Sequence, residues 1–250
     1  MIEFKNIRAG YEKKEILSDL SLTVRRGEVL SVVGLNGSGK STLLGTVIGS
    51  VSLRSGEILA DGQPLSELSP RERAKKVAYL SQSRRLPDMT AGQLILHGRF
   101  PHTAFPHIYS GKDKALASEA AERMGLSDLM DAPLSVLSGG TLQRAYIAMA
   151  LCQDTDYILL DEPTASLDVS AQLELMTLLR GLAADGKAIL TVMHDLPLAM
   201  SFSDRIAIIS GGKIYAEGTP DSLLSSEDLK DIFGITLQRS PDGDYFYRHK

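Results

Sequence analysis

The chain contains one cysteine among its 250 residues. A single thiol cannot close an internal disulfide, which removes the disulfide-stapled class and fits a reducing compartment. Cys152 lies in an apolar helical run with no histidine near it in sequence, so it reads as a small buried hydrophobe rather than a nucleophile. Long apolar runs are also missing. None approaches the roughly 20 residues that span a bilayer, so any membrane role is expected to be peripheral, through a partner. The opening Met1-Ile2-Glu3-Phe4-Lys5 reads as a mixed strand start, so no secretory leader is expected. Positive charge is not in excess: the formal net charge is −4, which argues against nucleic acid as a partner. No internal repeat or low-complexity linker divides the chain. With 43% apolar residues it can bury the core of one large domain, or of a domain with a subdomain.

What is present is organised around Gly34-Leu35-Asn36-Gly37-Ser38-Gly39-Lys40-Ser41-Thr42. The β-branched run Val29-Leu30-Ser31-Val32-Val33 before it reads as a buried strand, and Leu43, Leu44, Val47 and Ile48 after it repeat at helical spacing. A glycine-rich turn with a chance lysine would lack both flanks. Gly34, Gly37 and Gly39 let the backbone bend with its amides inward, and the helix start adds partial positive charge. Lys40 can then reach the β- and γ-phosphates of a nucleotide and the Ser41 hydroxyl can bind Mg²⁺. Such a loop fixes the ligand class and not the task, because kinases, GTPases and motors share it.

Three further apolar strands end on polar residues. Val77-Ala78-Tyr79-Leu80-Ser81 runs into Gln82, Tyr157-Ile158-Leu159-Leu160 into Asp161 and Glu162, and Ala188-Ile189-Leu190-Thr191-Val192-Met193 into His194. In a parallel sheet such ends converge on one edge beside the phosphate loop, where ligands bind. An aspartate closing an aliphatic strand next to a phosphate loop helps to hold Mg²⁺, here Asp161. By the alternation of a strand Glu162 should point to the other face, free to polarise a water. Taken singly, Gln82 reads equally as a solvated strand end, and Tyr11, in the polar turn Gly10–Lys14, as loop cover.

The first segment, Ile2 to Val33, reads as β, with Leu20, Leu22 and Val24 alternating, and Asp61-Gly62 ends a second strand. Capping boxes at Ser69–Glu72 and Thr90–Gln93 start helices. From Ser83 to Pro133 strand-like runs give way to helical ones, with Leu116, Ala120 and Met124 repeating and Gly125 closing the helix. Between those helices lies a loop from Gly98 to Ser110 rich in His, Pro, Phe and Tyr. The spacing of His97, His102 and His107 around prolines is not a ligand spacing, so a partner-binding surface is preferred to a metal site. Leu137-Ser138-Gly139-Gly140-Thr141 opens an apolar helix, Leu142 to Cys152, and is a second anion-binding helix start. Ser166-Leu167-Asp168 forms a turn before a helix bearing Leu175, Leu178, Leu179 and Leu182. A hairpin over Arg205–Glu217 follows, and the tail from Thr219 carries short helical signals.

The succession of phosphate loop, Gln82, Leu137–Gly140, Asp161-Glu162, Ser166-Leu167-Asp168 and His194 resembles the ATP-binding subunit of an ABC transporter over essentially the whole chain. The resemblance implies an α/β fold: a P-loop NTPase core with an N-terminal antiparallel β subdomain and an inserted α-helical subdomain. Residues 1–82 and 153–250 would be the RecA-like core with the β subdomain, and 83–152 the helical subdomain carrying the signature motif, all in one domain. It implies that Tyr11 stacks on adenine, that Gly37 to Thr42 cradle the phosphates of ATP, and that Ser41 and Gln82 bind Mg²⁺ with Asp161. Glu162 would act on the attacking water and His194 would sense the γ-phosphate. Ser138, Gly139 and Gly140 would close on ATP held by a second copy of the chain, with Asp168 crossing to that copy. Gly98-Arg99-Phe100-Pro101-His102 is similar to a stretch in ATPases of iron–siderophore, haem and cobalamin importers. It implies an integral membrane permease docked near Ser83–Ser110, a substrate-binding protein acting indirectly, and a cytoplasmic position at the inner face of the membrane. Two positions depart from the family pattern: Thr141 stands where glutamine is usual and Leu53 where proline is common. Neither removes a catalytic group. The rival readings are a non-transport ABC ATPase acting on nucleic acid or the ribosome, and a small-molecule P-loop kinase. The first usually carries insertions or a second ATPase domain that this chain lacks. The second leaves Leu137–Gly140 and His194 without a role.

Overall fold

The structure, a computed structural model, describes residues 1–82, 86–165 and 167–248. Alternating apolar residues build β1 (Ile2–Tyr11) and β2 (Lys14–Val24), paired antiparallel from Ile2↔Val24 to Tyr11↔Lys14. The turn at Gly27 leads into β3 (Val29–Val33), the phosphate loop and α1 (Lys40–Ile48). Next come β4 (Leu53–Ala60) and β5 (Gln63–Pro64), joined by Asp61 and Gly62 at φ 51° and 79°. Both are left-handed, as a tight hairpin turn requires. These strands form a four-stranded sheet in the order β2-β1-β4-β5.

The helix α2 (Pro70–Lys76) starts on the Ser69–Glu72 capping box and feeds β6 (Val77–Leu80). Three helices follow: α3 (Ala91–His97), capped by Thr90 and Gln93, α4 (Gly111–Arg123), capped by Ser110 and Asp113, and α5 (Gly139–Cys152), capped by Ser138. The last begins at the glycine pair itself, three residues before the predicted Leu142, because Ser138 satisfies the first-turn amide of Thr141. Then come β7 (Tyr157–Asp161), α6 (Val169–Ala184), β8 (Ala188–Val192), α7 (Leu196–Phe202), and the hairpin of β9 (Arg205–Ser210) and β10 (Lys213–Gly218). The tail holds α8 (Pro220–Leu224), α9 (Asp228–Phe233) and a hairpin that sequence patterning did not reveal, β11 (Leu237–Arg239) with β12 (Tyr245–Tyr247).

The central sheet runs β10-β9-β3-β8-β7-β6, parallel except for β10. Its central strands β3, β7 and β8 are buried on both faces, and the period of two divides their side chains between two cores, whereas β10 at the edge alternates between exposed and half-buried positions. Val29, Leu80, Ile158, Leu160, Ile189 and Ile208 face the core shared with α3 to α7. Leu30, Val32, Leu159, Leu190 and Ile209 face α1 and the antiparallel sheet, meeting Leu43, Val47, Phe4 and Leu20. The phosphate loop therefore emerges between two packed layers. The carboxyl ends of β6, β7 and β8 lie side by side, with β3 next to β8.

Candidate functional site

The loop after β3 turns through left-handed Gly37 (φ 78°) and Gly39 (φ 111°) into α1. A Cβ at Gly39 would also come within 2.7 Å of the Leu17 side chain, so both backbone angle and space demand glycine there. Lys40 is buried, and its Nζ donates to the carbonyls of Gly34 at 2.8 Å and Leu35 at 3.1 Å. Burial lowers the Lys40 pKa, while the carboxylates of Glu162 and Asp161 act in the opposite direction. The Ser38 hydroxyl is buried in the same loop without a hydrogen-bond partner among the described residues. A buried unpaired hydroxyl is costly unless a ligand completes it.

The Ser41 hydroxyl donates to Asp161 Oδ1 at 3.2 Å across 120 residues of sequence. Burial raises the Asp161 pKa, opposed by that hydrogen bond. Glu162 departs from strand alternation. β7 ends at Asp161, and Glu162 takes a left-handed φ of 50° with its amide donating to Val192 at 3.1 Å. The turn, rather than the pleat, carries its carboxylate away from the Ser41–Asp161 pair. One oxygen accepts from the Gln82 amide and the other is hydrogen-bonded to His194 Nε2. The three polar strand ends thus meet on Glu162. Gln82, expected beside Ser41 on a metal, is here paired with Glu162. Asn36, Thr42, Glu162 and His194 line one cleft of about 270 Å³ with the loop glycines Gly37 and Gly39, Lys40 and Ser41. Lys14 and Ile16, at the start of β2, line it too. Nothing in their local pattern marked them, since hairpin pairing brings them there. Tyr11 is exposed at the end of β1, opposite Lys14 in the ladder.

A second cleft, of about 410 Å³, is lined by Ser138, Gly140, Thr141, Gln143 and Arg144 of the α5 end, and by Leu167, Asp168 and Leu175 on the α6 side. It shares no residue with the first. The Ser138 hydroxyl accepts from the Thr141 amide at 3.2 Å and lies 2.9 Å from the Thr141 hydroxyl. Ser138 and Gly139 are exposed. Asp168 caps α6, its Oδ1 accepting from Ala171 at 2.9 Å. Ser166, read as part of this turn, lies outside the described residues.

His97 at the end of α3 and the histidines of the Gly98–Ser110 loop have protein partners. His102 Nε2 is 3.0 Å from the Gln153 carbonyl, and His97 and His107 stack on Phe100 at 5.4 and 4.6 Å. Arg99, in the motif read as a docking signal, is buried and bonded to Asp113 and to the carbonyls of Cys152 and Gln153. It holds the loop rather than presenting itself. What the loop presents is Phe100, Phe105 and Ile108, all exposed. Cys152 is buried, and burial pushes its thiol up to about 12.

The residues fit a magnesium nucleotide. Among the described residues no group of three His, Cys, Asp or Glu side chains is placed to hold a metal by itself. Magnesium needs no such cage, since it is bound by one or two protein oxygens with phosphate and water completing the shell. The Ser41–Asp161 pair supplies that donor set beside an amide-lined loop and a buried lysine.

Residues 17–165 match the ABC transporter family. The petrobactin import ATP-binding protein YclP of Bacillus subtilis (strain 168) is 38% identical over 239 residues, covering 95% of this chain and 94% of the relative. The hemin import ATP-binding protein HmuV of Rhodococcus jostii (strain RHA1) is 39% identical over 226 residues, covering 90% and 77%. Among solved structures, the dimeric post-hydrolysis state of the ATP-binding cassette MJ0796 bound to ADP and Pi superposes with a TM-score of 0.77 at 29% identity, covering 88% of this chain and 99% of that one.

Proposed function

The chain belongs to the ABC transporter family, and from that membership we propose that it is the ATP-hydrolysing motor subunit of an importer for an iron chelate, a siderophore complex or haem. One observation carries the site assignment: Glu162 is fixed by a left-handed turn between Gln82 and His194, one residue past the Asp161–Ser41 pair.

In this reading Tyr11 stacks on adenine and Gly34 to Thr42 cradle the phosphates, Lys40 leaving its carbonyl partners for the β- and γ-oxygens. Ser41 and Asp161 would hold Mg²⁺, joined by Gln82 once it leaves Glu162, and the ion would neutralise charge on the phosphates. Glu162 takes a proton from a water as its oxygen adds to the γ-phosphorus. The bridging P–O bond breaks, ADP leaves with that electron pair, and His194 holds both Glu162 and the γ-phosphate in line. Two copies bind two ATP head to tail, each between one phosphate loop and the Ser138–Gly140 amides of the other copy, with Asp168 at the crossing. The two clefts have no lining residue in common, which supports a second copy as the source of the Ser138–Gly140 amides. Residues 83–152 act as the helical subdomain, against 1–82 and 153–250 as core. A membrane permease docks near residues 83–110, of which 83–85 lie outside the described set, and a substrate-binding protein acts from the far side. No described helix is long and apolar enough to cross a membrane. In this reading the chain is held at the cytoplasmic face of the membrane by its permease.

The test is to tag Glu162→Gln protein, express it in its native cell, solubilise membranes in detergent with ATP, and identify what co-purifies. A polytopic membrane protein is expected. Ribosomal proteins or nucleic acid in its place would overturn the transport assignment.

A further inference from the structure

The segment between Glu162 and Asp168 joins the water-activating carboxylate to the turn at the second cleft, and two glutamines hold its carbonyls. Gln143 on α5 donates its amide to the Pro163 carbonyl at 2.7 Å. Gln172 on α6 donates to the carbonyls of Thr164 at 3.2 Å and Leu167 at 3.1 Å. The two anchors are not equivalent. Gln172 belongs to the helix that Asp168 itself caps. Gln143 lies five residues, about 7.5 Å of helix rise, after Ser138 on the helix whose amino end is the exposed anion site. It is bonded to the residue that follows Glu162.

We propose that Gln143 is a positioning residue that couples the two nucleotide sites. A displacement of α5 produced by a phosphate at Ser138–Gly140 is transmitted through the Gln143 amide to Pro163, and so to the backbone turn that aims Glu162. This rests on the head-to-tail reading above, in which the phosphate at Ser138 belongs to the ATP of the opposite site. The physical basis is leverage. Glu162 sits in a left-handed conformation that a non-glycine residue keeps only when its neighbours hold it. Its amide is fixed to Val192 at 3.1 Å, and its carbonyl accepts from Ala165 within the same turn at 3.3 Å, so a pull on Pro163, inside that turn, changes the carboxylate direction. Proline has no amide hydrogen to anchor it, so its carbonyl is the only backbone hydrogen-bonding group available there.

The experiment compares the full-length parent with Gln143→Leu and Gln172→Leu. Hydrolysis rate is followed against ATP concentration, thermal melting reports folding, and a Glu162→Gln background reports ATP-dependent dimerisation by light scattering. Gln143→Leu is expected to lower kcat by a factor of about 5 to 10 and to flatten the cooperative dependence on ATP into a simple hyperbola, with dimerisation in the Glu162→Gln background intact. Gln172→Leu, which loosens the segment but leaves the Gln143–Pro163 bond in place, is expected to lower kcat with cooperativity retained. Equal cooperativity in the parent and Gln143→Leu, or a parent that shows none, would overturn the coupling role. A melting shift without a kinetic change would likewise reduce Gln143 to a packing residue. Absence of any ATP-dependent dimer is a separate result, and it removes the head-to-tail reading itself.

Discussion

Arg99 Nε donates to Asp113 Oδ1 at 2.9 Å with both side chains almost entirely out of solvent, joining the loop after α3 to the first turn of α4. The same guanidinium reaches the Cys152 carbonyl at 3.0 Å at the end of α5. Three helices are therefore tied through one side chain. The close approach is visible in Gly98 as well, where a Cβ would fall 2.2 Å from the Met149 carbonyl. Removing Arg99 would take from the Asp113 carboxylate its one ion-pair partner among the described residues, leaving it to the Ser110 amide and hydroxyl, and would strip the guanidinium from the Cys152 and Gln153 carbonyls. Arg99→Ala is expected to cost about 3–5 kcal/mol of stability, measured by denaturant unfolding, with a larger loss than for the exposed pair Arg123–Asp185.

The pair also gives the acid limb of stability a local cause. The Ser110 hydroxyl, then the Arg99 guanidinium, hold the Asp113 carboxyl at about 2, below its ordinary 3.8. A depressed carboxylate adds stability above its unfolded pKa, and that contribution is lost as pH falls through the folded value. The parent is expected to lose stability between about pH 4 and pH 2 more steeply than Asp113→Asn, which has no proton to take up there. Parallel pH curves for the two proteins would remove Asp113 from the acid transition.

Thr141 departs from the glutamine that the family resemblance leads one to expect, and its contacts give that departure a consequence. Ser138 Oγ already accepts from the Thr141 amide, and the Thr141 hydroxyl lies 2.9 Å away. If the Thr141 hydroxyl donates, both lone pairs of Ser138 are used and its own proton is directed outward, toward an arriving phosphate oxygen. Thr141→Val keeps the shape and deletes that donor. The expected result is a rise in KM for ATP by a factor of about 3 to 10, one net hydrogen bond, with nucleotide binding to the isolated phosphate loop unaltered. A KM equal to the parent's would show that Ser138 needs no such orientation.

The sequence carried the parallel sheet, because buried β-branched runs alternate between two faces only if both are covered, and it carried the convergence of Gln82, Asp161, Glu162 and His194, because parallel strands end together. It did not carry the left-handed turn at Glu162, whose cause is a hydrogen bond to Val192 on a neighbouring strand. Lys14 and Ile16 reach the cleft through hairpin register, and Gln143 reaches Pro163 across the fold, so neither has a local signature. The β11–β12 hairpin was hidden by its shortness, three residues a strand with only Leu237 and Tyr245 buried. The Gly98–His102 stretch says where in the chain the docking segment lies but not which of its side chains face out: Arg99 and His102 have their partners inside. A burial pattern set by three helices cannot be seen in five residues.

With Arg99 and His102 turned inward, the docking prediction falls on the exposed side chains of the same loop. Phe105 is 90% and Ile108 76% exposed, and Phe100 stacks between His97 and His107 beside them. Large apolar side chains grouped on one loop mark an interaction surface more often than chance exposure does. The loop is held from within by Arg99 and His102, and by Arg71, whose Nε donates to the Pro101 carbonyl at 2.8 Å. A surface fixed in advance loses little conformational freedom on binding, so its apolar area counts nearly in full. Phe105→Ser and Ile108→Ser touch neither cleft. Each is expected to leave the melting temperature and ATP hydrolysis of the isolated protein within error of the parent, while recovery of the permease in the Glu162→Gln pull-down falls by a factor of about 10 or more for the double variant. Undiminished recovery would place the docking surface elsewhere on the chain, without disturbing the assignment of the nucleotide site.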